Sequence, residues 1–418
     1  MFGISPLPSD ECQNVRPDPN TTLDGILMFS DLFFLFLTML LITVGQDTTD
    51  LLQPENIPQT LMWSCLLYIG TLSIIWNQTK FLRWSKERII FCTNLEFLTF
   101  LSILYFYLEI PLLFTTLFPL AAITLVLYFI ALTTAHYSYN RLSGNQRQTG
   151  KSIGFLFPLS LPFLLLTLII DIGNTPFTFI CIAALAIFFP TVLIWCWGCP
   201  PLNNPELSQR LEKLCKKAHF KHAGFKVWSI MEHAYTAAII GIVSRFRYVM
   251  FTKPLIDYLP PESVEAVLAH EIGHQKHGHL LWYPLILMGM VTTSILVASI
   301  EGPFAMSLIL FIATAALYYR FIFGYFSRLF ERQADLYIFT LQLNPDHLID
   351  ALNSLANFSG TSRRAPNWHH FSIQERIHFI EKVKHDTTLY ARHQRRVKYS
   401  LGLYSLLLGA ALLFLFIA

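Results

Sequence analysis

The sequence predicts a multi-pass α-helical membrane protein of about nine spans, and three observations lead to this prediction. Apolar residues make up 54% of the 418 residues and charged residues only 14%, and the mean hydropathy is +0.47. Apolar runs of about 20 residues, long enough to cross about 30 Å of hydrocarbon as helices, recur along the chain. Two long polar segments, 199–279 and 325–400, interrupt these runs. An ordinary soluble domain carries more charge than this.

The apolar runs divide the chain into a tail and three membrane regions. After an N-terminal tail, 1–24, six spans fill the region 25–198. A hairpin of two spans, 280–324, separates the two polar segments, and a last span covers 401–418. The predicted spans are 25–45, 59–76, 89–108, 117–138, 154–171, 177–198, 280–300, 303–324 and 401–418.

The basic residues predict the orientation, because Lys and Arg in short loops stay on the cytoplasmic side. The loops 77–88 and 139–153 are basic, whereas the alternate connections contain neither Lys nor Arg. This pattern places the N-terminus and both long polar segments in the cytoplasm. We therefore expect an integral protein of the cell (inner) membrane whose polar segments face the cytoplasm.

The first polar segment predicts helices around a small sheet. PELSQRLEKLCKKAHF places Leu207, Leu211, Leu214 and Ala218 at helical spacing. The runs FKVWSI, AYTAAIIGIV and RYVMFT are rich in β-branched and aromatic residues and are typical of strands. A further helix is predicted from PPES through HEIGHQKH, since Pro and acidic residues open it and no breaker follows.

A metal-binding motif lies on that last helix. His270 and His274 are four residues apart, so they project from one face and can offer two imidazole nitrogens to one metal ion. Glu271 lies beside them, close to a metal-bound water. This is the H-E-x-x-H zinc motif, whose spacing follows from helix geometry. On the motif alone, the alternative of ordinary surface residues stays open.

A catalytic zinc takes three protein ligands and leaves its fourth position to water. The sequence has His277 and Leu280 where the extended metzincin pattern has Gly and His. A third histidine ligand at position 280 is therefore excluded. SRLFERQADLYIFTL offers a carboxylate from a second helix instead. We expect Glu331 to bind the metal and Asp335 to accept a hydrogen bond from the outer nitrogen of a ligand histidine. The alternative is an amphipathic helix that carries these charges without a metal.

The two remaining histidines of the motif helix are not expected to be ligands. His277 and His279 lie one to two turns beyond the motif, where the ligand count is already complete. We expect both to lie at the membrane interface or behind the ligands.

The order VEAVLAHEIGHQKHGH, two predicted spans and then SRLFERQAD resembles the membrane-bound zinc metallopeptidases that include the type I CAAX prenyl endopeptidases and the HtpX-like proteases. That family carries H-E-x-x-H, a hydrophobic hairpin and S-R-x-x-E-x-x-A-D. The resemblance implies that His270, His274 and Glu331 are the zinc ligands. It also implies that Glu271 is the catalytic base and that Asp335 and Arg328 support the ligands from behind.

The family's substrate strand is matched by His233, Ala234 and Tyr235, although this chain has His where the family has Asn. The resemblance implies that these residues bind substrate. An edge strand at this position would pair with an extended peptide.

The stretch HHFSIQERI matches the family's His and Arg near the end of the domain. His370 and Arg376 have the family's separation, but Phe371 stands where Pro is common. The resemblance implies that both side chains contact or stabilise the reacting carbonyl. The alternative is that Arg376 pairs with a core carboxylate and His370 caps a loop.

The resemblance implies a cytoplasmic zincin-type α+β metalloprotease domain over 199–400, split by the two-span hairpin, with one catalytic zinc ion. Zinc lowers the pKa of a bound water and polarises the scissile carbonyl. Glu271 would then take the proton of that water and return it to the leaving amine. We therefore expect a zinc metalloendopeptidase that hydrolyses membrane-associated or misfolded proteins at the cytoplasmic face of the membrane.

Three other functions were weighed. Processing of prenylated, CAAX-type peptides is an alternative substrate class for the same chemistry. A metal transporter would need ionisable ligands within the spans, which are sparse here. A catalytically silent membrane scaffold would have lost a ligand or the base, whereas this chain keeps them all. The net charge of +3 is too small to predict a nucleic-acid partner, so the expected partners are polypeptide substrates and the bilayer.

Overall fold

The computed structural model describes residues 38, 57–81, 86–104, 117–143, 148–173, 175–231, 234–298, 304–359 and 371–417, to which the statements below refer. These residues form two compact units. The described residues up to Pro200, together with Trp228–Ala234, make up the membrane-helix unit. Pro201–Val227 and Tyr235–Ala418 make up the motif unit, which contains the H-E-x-x-H helix.

The membrane-helix unit is built from long apolar helices. Its described helices are α1 (Ile57–Phe81), α2 (Lys86–Ser102), α3 (Leu117–Ser143), α4 (Gln148–Asp171) and α5 (Thr175–Cys196). Many large apolar side chains point outwards, and Trp195 is 80% exposed. A surface of this kind is suited to lipid and not to water. The segment that includes Trp228 packs within the same unit, where its ring lies 5.6 Å from the ring of Trp197.

Six helices among the described residues are long and apolar enough to span a membrane, which confirms the prediction of a multi-pass membrane protein. The predicted span 89–108 overlaps α2, and its residues 105–108 lie outside the described part of the chain. The predicted span 25–45 lies outside the described residues except for Thr38. The candidate spans are Gln59–Gln78, Phe118–Tyr139, Gly154–Asp171, Pro176–Cys196, His279–Val297 and Thr388–Leu415.

The motif unit combines a small sheet with helices before and after it. Its first elements are α6 (Pro205–Lys217), β1 (Gly224–Val227), β2 (Ala237–Ile240), β3 (Tyr248–Phe251), α7 (Lys253–Tyr258) and α8 (Pro261–Lys276). Then follow α9 (His279–Ala298), α10 (Phe304–Tyr318), α11 (Gly324–Asp335), α12 (Tyr337–Thr340), α13 (Asp346–Ser359), α14 (Ile373–His385) and α15 (Thr388–Ile417).

The predicted helix and the three predicted strands are present, but each strand is only four residues long, the run FKVWSI ends in a 3-10 turn, and α7 was not predicted. Asn204 caps α6 by accepting a hydrogen bond of 3.0 Å from the backbone N–H of Leu207, and the predicted leucine face is buried. The strands form a sheet in the order β1-β3-β2, with β1 parallel and β2 antiparallel to β3. The central strand is the most buried, with Val249 and Phe251 fully enclosed. The edge strand β2 packs against α8, which carries the motif.

Two helical stretches of the motif unit continue across a boundary between apolar and polar sequence. The chain is helical from Phe304 to Asp335, because a π-helical turn, Tyr319–Phe323, joins α10 to α11. The 15 residues of α10 are fewer than the predicted span 303–324. Likewise α15 begins at Thr388, so the predicted polar segment 325–400 ends inside a helix that continues into the last span. Polar side chains on α11 and on the first turns of α15 therefore lie on helices that continue into apolar segments.

Three of these helices are tied together by tyrosines. The hydroxyl of Tyr404 on α15 donates to the carbonyl oxygen of Leu285 on α9 at 2.9 Å and accepts from Tyr318 on α10 at 3.0 Å. Both hydroxyls lie where a side chain at Gly289 would have to be, so the glycine permits the close approach. An apolar cluster that includes Ile286 and Phe330 continues this packing towards α11.

Candidate metal centre

The helix α8 presents the H-E-x-x-H residues. Pro261 occupies its first turn, and the chain leaves the helix at Gly278, whose φ of 72° is a left-handed conformation that favours glycine. The Nε2 atoms of His270 and His274 lie 3.2 Å apart, because residues four apart stack on one face. The two imidazoles therefore converge on a single point.

Glu331 on α11 faces this point. Its carboxylate oxygens lie 3.9 Å from Nε2 of His270 and 3.5 Å from Nε2 of His274. One ligand atom from each of the three residues fits within 4.8 Å, and Glu331 is only 7% exposed. Two imidazoles and a carboxylate are a donor set that zinc takes in catalytic sites, where water occupies the fourth position.

The approach of α11 to α8 depends on Gly273. A Cβ atom at this position would lie 2.8 Å from the Cβ of Tyr337 and 3.0 Å from the Cα of Ala334. These distances are shorter than van der Waals contact, so only glycine lets the two backbones pack this closely. The close packing is what brings the carboxylate of Glu331 to the two histidines.

Asp335 lies behind the first histidine. Its Oδ1 atom is 2.9 Å from Nδ1 of His270, the nitrogen that points away from Glu331. Arg376 on α14 donates two hydrogen bonds to Asp335, from Nε at 2.9 Å and from Nη2 at 2.6 Å. Nη1 of Arg376 also lies 3.4 Å from the carboxylate of Glu331. The alternative weighed for Arg376, pairing with a core carboxylate, is therefore the arrangement present in this structure.

Charges determine the protonation states around Asp335. Burial would raise the pKa of Asp335, but the neighbouring Arg376 and His270 outweigh it and lower that pKa. Burial would likewise lower the pKa of His270, but its contact with the carboxylate of Asp335 raises that pKa instead. Burial also raises the pKa of Glu271 on the same helix. Asp335 is thus ionised and able to orient the imidazole of His270.

We expect Asp335→Asn to lower the metal affinity of the centre by about 10- to 100-fold, which is typical when the partner of a ligand histidine is removed. The amide cannot replace the charge that holds both His270 and Arg376. Metal content and competition with a chelator, measured on the purified protein, test this expectation. Asp257→Asn is the control, since Asp257 pairs only with Lys253 at the surface among the described contacts. Equal affinities of both variants would contradict the role of Asp335.

His279 lies behind the second ligand histidine. The sequence had predicted a position either at the membrane interface or behind the ligands. Its Nδ1 atom is 2.9 Å from Nδ1 of His274, and its Nε2 atom is 2.9 Å from Oε1 of Gln333. Gln333 in turn donates from Nε2 to Oε1 of Gln394 on α15. His277 lies further out, with its ring edge against the ring of Tyr337. No motif or residue spacing in the sequence predicts that Gln394 is connected to the metal centre.

Arg332 was also missed by the sequence analysis. Its guanidinium carbon lies 4.0 Å from the ring centre of Phe371 and 4.1 Å from that of Phe379. This pair of cation–π contacts holds α14, and the residue Phe371 just before it, against α11. Since Arg376 lies between the two rings in sequence, the contacts also position its guanidinium.

The other predicted site residues are less directly placed. His233 and His370 lie outside the described residues, so their predicted roles in substrate binding and catalysis stay predictions. Ala234 is half-buried just before the strand β2. The ring of Tyr235 is buried, 5.1 Å from the ring of Phe358, so it points into the core. Arg328 is half-buried on α11, one turn before Glu331.

Comparison with known proteins identifies the region that holds this centre. The model of peptidase family M48 matches residues 201–384. A similar solved structure is the crystal structure of Ste24p from S. mikatae, which is 17% identical and has a TM-score of 0.48. The similarity covers 85% of this chain and 98% of that chain. The search among curated protein sequences gives no significant match.

Proposed function

Because residues 201–384 belong to peptidase family M48, a family of metallopeptidases, we propose that this integral membrane protein is a zinc-dependent endopeptidase. The observation that carries the proposal is the convergence of His270, His274 and Glu331 within 4.8 Å, with Glu271 on the same helix. Three donors brought together from two helices on either side of a hairpin are not expected from an ordinary helix surface.

His270, His274 and Glu331 are the proposed ligands, and their chemistry fits zinc. Nitrogen and carboxylate oxygen are the donors that zinc accepts in catalytic sites with one open position. When bound, zinc supplies a Lewis acid for the scissile carbonyl and an acidified water as nucleophile. The paired carboxylates Glu331 and Asp335 are balanced by Arg376, which lies within 3.4 Å of both.

Glu271 is the proposed general base. It shares the helix α8 with both ligand histidines and follows His270 directly. A carboxylate at this position takes a proton from the attacking water and returns it to the leaving amine. Arg376 is proposed to stabilise the charge of the ligand Glu331. From the family pattern, we also propose a second role for Arg376, in which it contacts the reacting carbonyl together with His370.

The proposed substrates are polypeptides in extended conformation. Within the described part of the chain, the strand β2 lies at the edge of the sheet, where it pairs with β3 alone, and it packs against α8. An extended chain could add to the open edge by backbone hydrogen bonds, next to the metal helix. We propose that Tyr235 supports this surface from the core. Substrate binding by His233 and Ala234 is proposed from the family pattern alone.

The proposed location is the cytoplasmic face of the cell membrane. The metal helix α8 leads directly into the candidate span His279–Val297. At the start of the last candidate span, Arg392, Arg395 and Lys398 are exposed. Basic residues at the end of a span favour the cytoplasmic side. Substrates emerging from the bilayer, or misfolded at its surface, would meet the centre there.

Metal removal tests the proposed function. We expect the protein, purified in detergent, to contain about one zinc ion per chain and to cleave unfolded polypeptides. A chelator should abolish cleavage, and zinc should restore it, because the three ligands remain in place. An S-prenylated CAAX peptide, tested beside an unfolded protein, separates the two substrate classes. Cleavage that survives complete metal removal would refute the proposal.

A further inference from the structure

A row of hydrogen bonds, buried at His279 and Gln333, leads from the metal centre to the last helix. It begins at Nδ1 of His274, passes through the ring of His279 with contacts of 2.9 Å on both nitrogens, and reaches Oε1 of Gln333. Gln333 then donates to Gln394 on α15. His279 is 1% exposed and Gln333 is 6% exposed, so water does not compete for these groups.

The polarity of every bond in this row follows from the ligand at its end. If Nε2 of His274 offers its lone pair to a metal, the proton of the imidazole must be on Nδ1. His279 then accepts at Nδ1 and donates from Nε2 to the amide oxygen of Gln333. The amide nitrogen of Gln333 is left to donate, and Oε1 of Gln394 accepts. Each group therefore has one role compatible with metal binding.

We infer that Gln394 is a positioning residue of the metal centre, which acts through Gln333 and His279 on the tautomer and ring orientation of His274. The inference rests on the proposed zinc binding. Among the described contacts, Gln394 touches none of the three proposed ligands, and its effect is transmitted through the orientation of the amide of Gln333. Outer partners of this kind hold a ligand histidine and tune its affinity for the metal.

The two ligand histidines are thus supported in different ways. His270 contacts the carboxylate of Asp335, which is held by Arg376 on α14. His274 contacts the neutral ring of His279, which stacks on Phe330 with ring centres 4.2 Å apart. The second support ends on α15, which contains the candidate span Thr388–Leu415. The last membrane helix therefore takes part in building the metal centre.

The helix α15 does not depend on Gln394 for its attachment to α11. His393 contacts the carbonyl oxygen of Leu329 at 3.1 Å, and the hydroxyls of Tyr325 and Ser400 are 2.9 Å apart. These bonds remain when the side chain of residue 394 is changed. Ser400→Ala is therefore a matched control, since it removes one bond between the same two helices without touching the row.

The test measures the rate at which the full-length protein in detergent releases zinc to a chromogenic chelator. Gln394→Met keeps the length of the side chain but offers Gln333 only a weak thioether acceptor, so it should release zinc about tenfold faster than the wild type. The absorption spectrum of the cobalt-substituted protein should change as well. Gln394→Glu keeps an acceptor for Gln333, so it should release zinc almost as slowly as the wild type. Ser400→Ala should release zinc at the wild-type rate.

A double variant separates positioning from general loosening of the fold. Once His279→Leu has broken the row next to His274, Gln394→Met should add little further acceleration, because both act through one path. Wild-type release from Gln394→Met, or additive effects in the double variant, would overturn the inference. A wild-type protein that binds no zinc would instead refute the proposed function, so the two failures are distinguishable.

Discussion

Glu271→Gln is expected to lower the rate of peptide hydrolysis by about 10²- to 10⁴-fold while the purified protein still binds zinc. Glutamine has the same shape and fills the same place on α8, but it cannot take a proton from the attacking water. The ligands His270, His274 and Glu331 are unchanged by the substitution, so the metal stays. Cleavage rate and zinc content, measured on one preparation, test both halves of the expectation.

Glu262→Gln is the matched control for this variant. Glu262 is on the same helix, but its side chain is 42% exposed and pairs with Arg210 at 2.7 Å, far along the helix from the motif. The same chemical change there should leave the cleavage rate near the wild-type value. If Glu271→Gln cleaved as fast as Glu262→Gln, Glu271 could not be the base.

Gly273→Ala is expected to remove most of the zinc affinity, by more than about a hundredfold, and to lower the free energy of unfolding by about 1–3 kcal/mol. The new methyl group would lie 2.8 Å from the Cβ of Tyr337 and 3.0 Å from the backbone of Ala334. Since both contacts belong to the chain that follows Glu331, relief of the overlap moves α11 away from α8. Metal sites tolerate errors of only about 0.2 Å in ligand distance.

Gly402→Ala is the control for Gly273→Ala. Gly402 is also inside a helix, but a Cβ atom there would meet nothing within 4 Å. Alanine favours a helix over glycine, so this variant should keep full zinc content and a wild-type midpoint of thermal unfolding, or a slightly higher one. Retention of normal zinc affinity by Gly273→Ala would contradict the close approach of α8 and α11.

The sequence predicted well what depends on regular spacing. Apolar runs of sufficient length predicted the membrane helices, and the leucine spacing predicted α6 from Leu207 onwards. The motifs around His270 and Glu331 predicted a membrane metallopeptidase family, and the model of peptidase family M48 matches residues 201–384. Such patterns are visible in one dimension because a helix places residues three or four apart on one face. The ligand roles themselves stay predictions that the experiments above address.

Other features could not be predicted, since they depend on how separate helices pack. The continuation of α10 into α11 through a π-helical turn was not predicted, because the end of the apolar run at residue 324 was interpreted as the end of the helix. The two rings that contact the guanidinium of Arg332, those of Phe371 and Phe379, are separated from it along the chain by the helices α12 and α13. The pairing of Arg376 with Asp335 was only one of two alternatives until the structure brought α14 against α11.

For this protein, spacing along the chain was sufficient to predict a membrane metallopeptidase and to nominate His270, His274 and Glu331. Tertiary packing alone decided which groups stand behind these residues: Asp335 behind His270, and His279, Gln333 and Gln394 behind His274. The physical reason is that helix geometry fixes the spacing of ligand residues within one helix. A supporting hydrogen bond instead needs two side chains from helices that are far apart in sequence. Gln333 and Gln394 are 61 residues apart, and only the packing of α15 on α11 brings them together.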